Sequence, residues 1–137
     1  MRGGSCASAA LLLLAGCGTT EVGSADLIGP TWAVEQLAGA ALPGEPAVTL
    51  TLGADGSAGG SGGCNSYGGS YEIAGGGIRF GEIVSTRMAC EPAIMDREQA
   101  FLAALAAVDR YELRGETELV LLAEGGARLR LRRVAGE

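Results

Sequence analysis

Gly63-Cys64-Asn65-Ser66-Tyr67-Gly68-Gly69-Ser70-Tyr71 is the densest stretch of the chain: one cysteine, an asparagine suited to a left-handed turn, two tyrosines and three glycines. Asparagine tolerates positive φ and can bond its own backbone. The tyrosines that follow sit on a strand that continues through Ser70-Tyr71-Glu72-Ile73, with Tyr71 and Ile73 on one face. The glycines between Tyr67 and Tyr71 would admit a bulge. A second dense patch, Thr86-Arg87-Met88-Ala89-Cys90, lies downstream. The fold is expected to clip the two patches together.

Strands with turn chemistry between them surround this stretch. Val48-Thr49-Leu50-Thr51-Leu52 alternates apolar and polar residues, the pattern of a half-buried strand. Asp55-Gly56 favours a primed hairpin turn, and the glycine-rich residues 57–62 return antiparallel. So many glycines weaken a strand but permit bending and close backbone approach. Before them, Trp32, Val34 and Gln36 form one face of a first strand, and residues 39–46 form a loop marked by Pro43, Gly44 and Pro46. Trp32 fills a core or, on the sharper reading, offers a ligand platform.

After Ile73, Ala74-Gly75-Gly76-Gly77 turns the chain into Ile78-Arg79-Phe80, and residues 83–86 continue toward Cys90. No helix follows these glycines at the spacing that dinucleotide or phosphate binding needs. Pro92 can open a helix, expected over residues 92–107. Met95, Phe101, Leu102, Leu105 and Val108 form its apolar stripe, and Asp96 and Glu98 suit its positive end. Residues 118–123 and 128–134 close the chain as a hairpin, with Leu129, Leu131 and Arg133 facing one way. Short strands at this spacing predict a mainly β fold: a small antiparallel β-barrel of about eight strands, with one α-helix inserted after the fifth or sixth to plug or cover one end.

The length of 137 residues fits one small domain, and a hydrophobic share of 47% is ample for its core. The formal net charge is −6, with neither lysine nor histidine. An acidic exterior disfavours nucleic acid as a partner. The run Arg128, Arg130, Arg132 and Arg133 alternates as a solvated strand face. The absence of histidine removes the usual general base.

Residues 1–16 read as a leader. Arg2 precedes a short apolar run ending in Leu14-Ala15-Gly16-Cys17, which resembles a bacterial lipobox. That resemblance implies cleavage before Cys17 and lipidation of that residue, with residues 17–26 as a tether and 27–137 as the domain. Cys64 and Cys90 then remain as an even pair in an oxidising compartment. A disulfide between them would close a loop of about 26 residues and contribute about 3.5 kcal/mol, less any strain. Two buried free thiols are the alternative. Two thiolates without histidine fall short of a zinc site.

Gly63, Cys64, Asn65, Tyr67, Gly69 and Tyr71, followed by Thr86, Arg87, Met88 and Cys90, make a pattern that resembles the META domain family, which includes the HslJ-like heat-shock lipoproteins. Trp32, the Phe101-Leu102 helix and the final hairpin support it, and the resemblance covers residues 27–134. It implies a small antiparallel barrel with one helix. As a family, its members are linked with envelope or heat stress, antibiotic tolerance and, for some, motility.

The motif residues suggest one polar cluster of Asn65, Tyr67, Thr86 and Arg87 beside the disulfide, either maintaining the fold or facing a ligand. The functional expectation is a non-enzymatic, monomeric binding or interaction module of the cell envelope, without cofactor or metal. Its partners are the membrane through the lipid anchor and an envelope protein or small ligand. With two membranes, the residue after Cys17, Gly18, favours the outer one, facing the periplasm; otherwise the module sits on the extracytoplasmic face of the plasma membrane. The alternatives are a small-ligand carrier using the barrel mouth, or a protein-partner or inhibitor module using the loop of residues 39–46.

Overall fold

The computed structural model describes residues 26–134. The leader expected over residues 1–16 and lipidation at Cys17 therefore lie outside the described residues. Among the described residues Asp26 and Leu27 are helical, and ten strands and one complete helix follow in order: β1 Thr31–Leu37, β2 Ala40–Ala41, β3 Thr49–Leu52, β4 Ser57–Ser61, β5 Ser66–Ala74, β6 Gly77–Phe80, β7 Val84–Ser85, α1 Pro92–Ala107, β8 Arg110–Arg114, β9 Glu118–Ala123 and β10 Gly126–Arg133.

Antiparallel pairing runs β1-β3-β4-β5-β6-β8-β9-β10 and returns from β10 to β1, a closed ring of the expected eight strands. The two-residue strands β2 and β7 sit outside the ring, on β1 and β5 respectively. They raise the strand count to ten and place the helix after the seventh strand. The narrowest seam joins β6 to β8 through the single register pair Gly77 and Arg110.

Alternation explains the interior. Trp32, Leu50, Leu52, Leu119, Leu121, Leu129 and Leu131 are buried on the inner face. The indole N–H of Trp32 donates to the Leu27 carbonyl at 3.1 Å, so this ring is a satisfied core residue and not a platform. Phe101 and Leu105 of α1 reach into the same core, and the helix packs against β1, β6 and β10. Burial of such side chains contributes about 1.5–3 kcal/mol each.

The glycine-rich β4 has a specific use. Tyr67 pairs with Gly60 in register and sends its hydroxyl to the Thr49 carbonyl of β3, donating at 2.6 Å. Tyr71 donates likewise to the Gly53 carbonyl at 2.6 Å. A wall with almost no inward side chains lets two tyrosines lie across it and bond the far strand. The pairing of β4 with β5 is continuous, so no bulge separates the tyrosines and both are buried on one face. Burial pushes the Tyr67 hydroxyl well above the ordinary tyrosine range. Tyr71 shifts upward too, from burial first and then from the Asp55 charge.

Two local expectations are corrected. The Asp55-Gly56 turn is not a primed two-residue turn. Ala54 and Asp55 keep negative φ, Gly56 takes φ 89°, and the Gly56 N–H donates to the Gly53 carbonyl at 3.1 Å. This is a type I turn followed by a left-handed glycine. The primed geometry falls instead at Gly75-Gly76, with φ of 54° and 85°. Arg133 lies opposite Trp32 in register, on the face of Leu131 as expected, and is exposed at the end of its strand. Met95 leaves the apolar stripe: it is 38% exposed, because the first turns of α1 overhang the barrel. Glu98 takes the buried position in its place, in line with Phe101 and Leu105.

Outside, Arg130 pairs with Glu118 at 2.8 Å and Arg132 with Glu35 at 2.9 Å. Two of the alternating arginines of β10 thus form partly or largely exposed ion pairs, which add little stability.

Candidate functional site

Cys64 and Cys90 are joined, with Cα atoms 6.0 Å apart. The bridge ties the turn before β5 to the residue just ahead of the N-cap of α1. Glu91 is that N-cap and Pro92 the first helical residue, without a side-chain cap. The two sequence patches are therefore clipped together as expected.

Beside the disulfide lies a polar cluster whose membership differs from the expected one. Glu98 is only 4% exposed. One carboxylate oxygen, Oε2, accepts the backbone N–H of Cys64 at 3.1 Å and that of Asn65 at 2.6 Å. The other, Oε1, accepts the side-chain amide of Asn65 at 2.8 Å. The Asn65 Oδ1 accepts the Thr86 hydroxyl at 2.8 Å and the Met88 N–H at 2.7 Å. Asn65 thus couples the helix to the second patch. It does so without positive φ, which falls on Gly63 at 111°, and without bonding its own backbone.

Thr86 belongs to the cluster as expected, and its oxygen also accepts the Ser66 N–H at 3.2 Å. Tyr67 does not belong: its ring faces the core, edge-on to Phe101 at 5.4 Å. Arg87 does not belong either. It is exposed and forms no ion pair among the described residues. Glu98 stands beyond the first turn and turns inward instead of serving the positive end of the helix. A signal was present: an acidic residue three and seven positions before Phe101 and Leu105 shares their helix face, and a buried carboxylate requires donors.

Gly69, the remaining motif residue, is a close-approach position. A Cβ there would stand 2.5 Å from the Glu82 carbonyl oxygen. Gly62 has the same character, since a Cβ would stand 2.6 Å from Glu98 Oε2.

Over the cluster opens a groove of about 540 Å³, lined by Asn65, Val84, Thr86, Arg87, Met88 and Met95 among others. Val84, Met88 and Met95 are the exposed large hydrophobic residues of the described chain, at 66%, 58% and 38%, and all three line this one groove. Such residues scattered singly need no explanation, whereas gathered ones mark interaction sites. Among the described residues no group of three or more histidine, cysteine or acidic side chains could hold a metal, and no helix is long and apolar enough to cross a membrane.

Comparison with known proteins agrees with this architecture. The NMR structure of a protein from Burkholderia xenovorans matches with a TM-score of 0.64 and 31% identity, over 80% of this chain and 84% of that one. A second NMR structure matches with a TM-score of 0.63 and 18% identity, over 77% of this chain and 90% of that one, and shows the shared fold. No curated protein matches. The META domain pattern matches residues 25–136, the whole of the described barrel with the disulfide and the Asn65 cluster, and the chain belongs to the META domain family.

Proposed function

We propose that this chain is a lipid-anchored, non-enzymatic protein of the cell envelope, whose META domain is a stress-linked binding module that engages its partner through the groove above Asn65. The carrying observation is the convergence of Val84, Met88 and Met95 on that groove. Leaving three such side chains in water is unfavourable unless something covers them. The anchor rests on the lipobox-like Leu14-Ala15-Gly16-Cys17, and the Cys64–Cys90 bridge suits an oxidising compartment.

A catalytic reading finds little support. Glu98 has both oxygens occupied by donors that hold the fold, which leaves it poorly placed to abstract a proton. The carrier reading is also disfavoured, because Trp32, Phe101, Leu105 and the leucines of β3, β9 and β10 fill the barrel interior.

Photo-crosslinking in intact cells tests the proposal. A crosslinking amino acid at Met88 is expected to give a discrete adduct in the membrane fraction, and one at the exposed Glu116 to give none. Replacing Cys17 with alanine should release the chain from that fraction. Equal adducts at both positions, or membrane fractionation unchanged by the Cys17 replacement, would overturn it.

A further inference from the structure

We infer that the groove takes an extended peptide segment as an added strand on the free edge of β7, and that the segment carries a carboxylate side chain beside apolar ones. This rests on the binding-module reading and names the class of partner.

Backbone geometry supplies the first observation. β7 pairs on one side only, with β5. The Thr86 N–H donates to the Ser66 carbonyl and the Met88 N–H to Asn65 Oδ1, so these amides point back into the domain. Successive backbone groups of an extended chain alternate in direction. The N–H and C=O groups of Ser85 and Arg87 therefore face away from β5 as unpaired edge groups. Proteins usually blunt such an edge. Here it lies along the groove containing Val84, Met88 and Met95. Main-chain bonding at an edge with apolar pockets beside it is how extended peptides are bound, and methionines adapt to varied side chains.

Charge supplies the second observation. The lining residues include two ionisable side chains, Arg87 and Glu98. Glu98 is buried with its oxygens engaged. Arg87 is exposed without an ion pair, so the accessible charge of the lining is positive on a chain of net charge −6. A guanidinium beside apolar surface complements a carboxylate in a fork-to-fork pair. The span from residue 84 to 88, whose first two residues form β7, faces about five residues of a bound strand.

The test uses the full-length chain in detergent against a displayed library of random seven-residue peptides. Enriched peptides are expected to carry Asp or Glu among alternating apolar residues. A synthetic copy should shift the amide resonances of Ser85 and Arg87 above all others. Arg87→Glu should weaken it about tenfold or more, and replacing the peptide's acid with Arg should restore binding to that variant. Arg87 is exposed, so this variant keeps the fold, and Met88→Lys provides a second lesion in the same groove. Peptides that bind the groove without acid preference and ignore Arg87→Glu would overturn the inference and leave the binding-module reading standing. No enrichment, together with no crosslink at Met88, would overturn both.

Discussion

Glu98 holds Asn65 from two directions, its Oε2 taking the backbone N–H at 2.6 Å and its Oε1 the side-chain amide at 2.8 Å. The pair joins α1 to the turn before β5. Asn65 then passes the connection to Thr86 and Met88, so the floor of the groove is one continuous set of bonds.

Replacing Glu98 with Gln keeps the volume but turns one acceptor into a donor facing donors. The N–H groups of Cys64 and Asn65 already share Oε2, so the new amide group faces either them or the Asn65 side-chain amide and leaves donors unpaired. The expected loss is about 2–4 kcal/mol, read as a lower urea midpoint with an unchanged slope. Glu98→Asp, too short to reach both partners, should lose a comparable amount. Wild-type stability in both variants would remove Glu98 from the framework.

Gly69→Ala places a methyl group against the Glu82 carbonyl, a backbone atom that cannot swing aside. A loss of about 1–3 kcal/mol is expected. Gly75→Ala at the exposed hairpin meets no neighbour and loses only through its φ of 54°, about 1 kcal/mol. Thermal melts of the two variants, compared side by side, separate crowding from backbone conformation.

Substituting both Cys64 and Cys90 with serine should cost about 3.5 kcal/mol from the released loop. That corresponds to a drop of roughly 14 °C or more in melting temperature for a domain of this size. Reductant should lower the wild-type melting temperature toward the variant's and leave the variant unmoved.

Tyr67 sets an alkaline limit. Its folded-state pKa is raised by burial above the unfolded value of about 10. The native state therefore keeps its proton longer, and this contribution is intact below pH 10 and lost as pH rises through the higher folded value. Tyrosinate absorbance from Tyr67 should appear together with loss of tertiary structure above pH 10. Tyr67→Phe should delay the alkaline transition while lowering stability at neutral pH by about 1–3 kcal/mol, because the buried Thr49 carbonyl loses its donor.

The barrel was legible because alternation in residues 48–52, the Gly75-Gly76 turn and the helix at residues 92–107 each declare themselves locally, and the structure reproduces those bounds closely. The cluster was legible only in part. Asn65 and Thr86 stand in the motif, but their keystone Glu98 lies 33 positions from Asn65 on a different element, and only its helical spacing to Phe101 and Leu105 distinguishes it from Asp96. Tyr67 was drawn to the polar side by its hydroxyl, whereas its ring decides its place and the Thr49 carbonyl satisfies the hydroxyl inside the core. Met95 obeyed the helical period, which cannot reveal that a helix overhangs the barrel it packs on.

The ring closes where β10, the last strand, lies down along β1, the first. A chain emerging amino end first must therefore hold β1 with an open edge until residues 126–133 have been made, since they supply its second partner in the ring. Contacts between the two ends of a chain are the slowest to form. A partly emerged copy accordingly carries an adhesive edge until residues 126–133 appear, and shielding the chain during that interval guards against the association that such an edge invites.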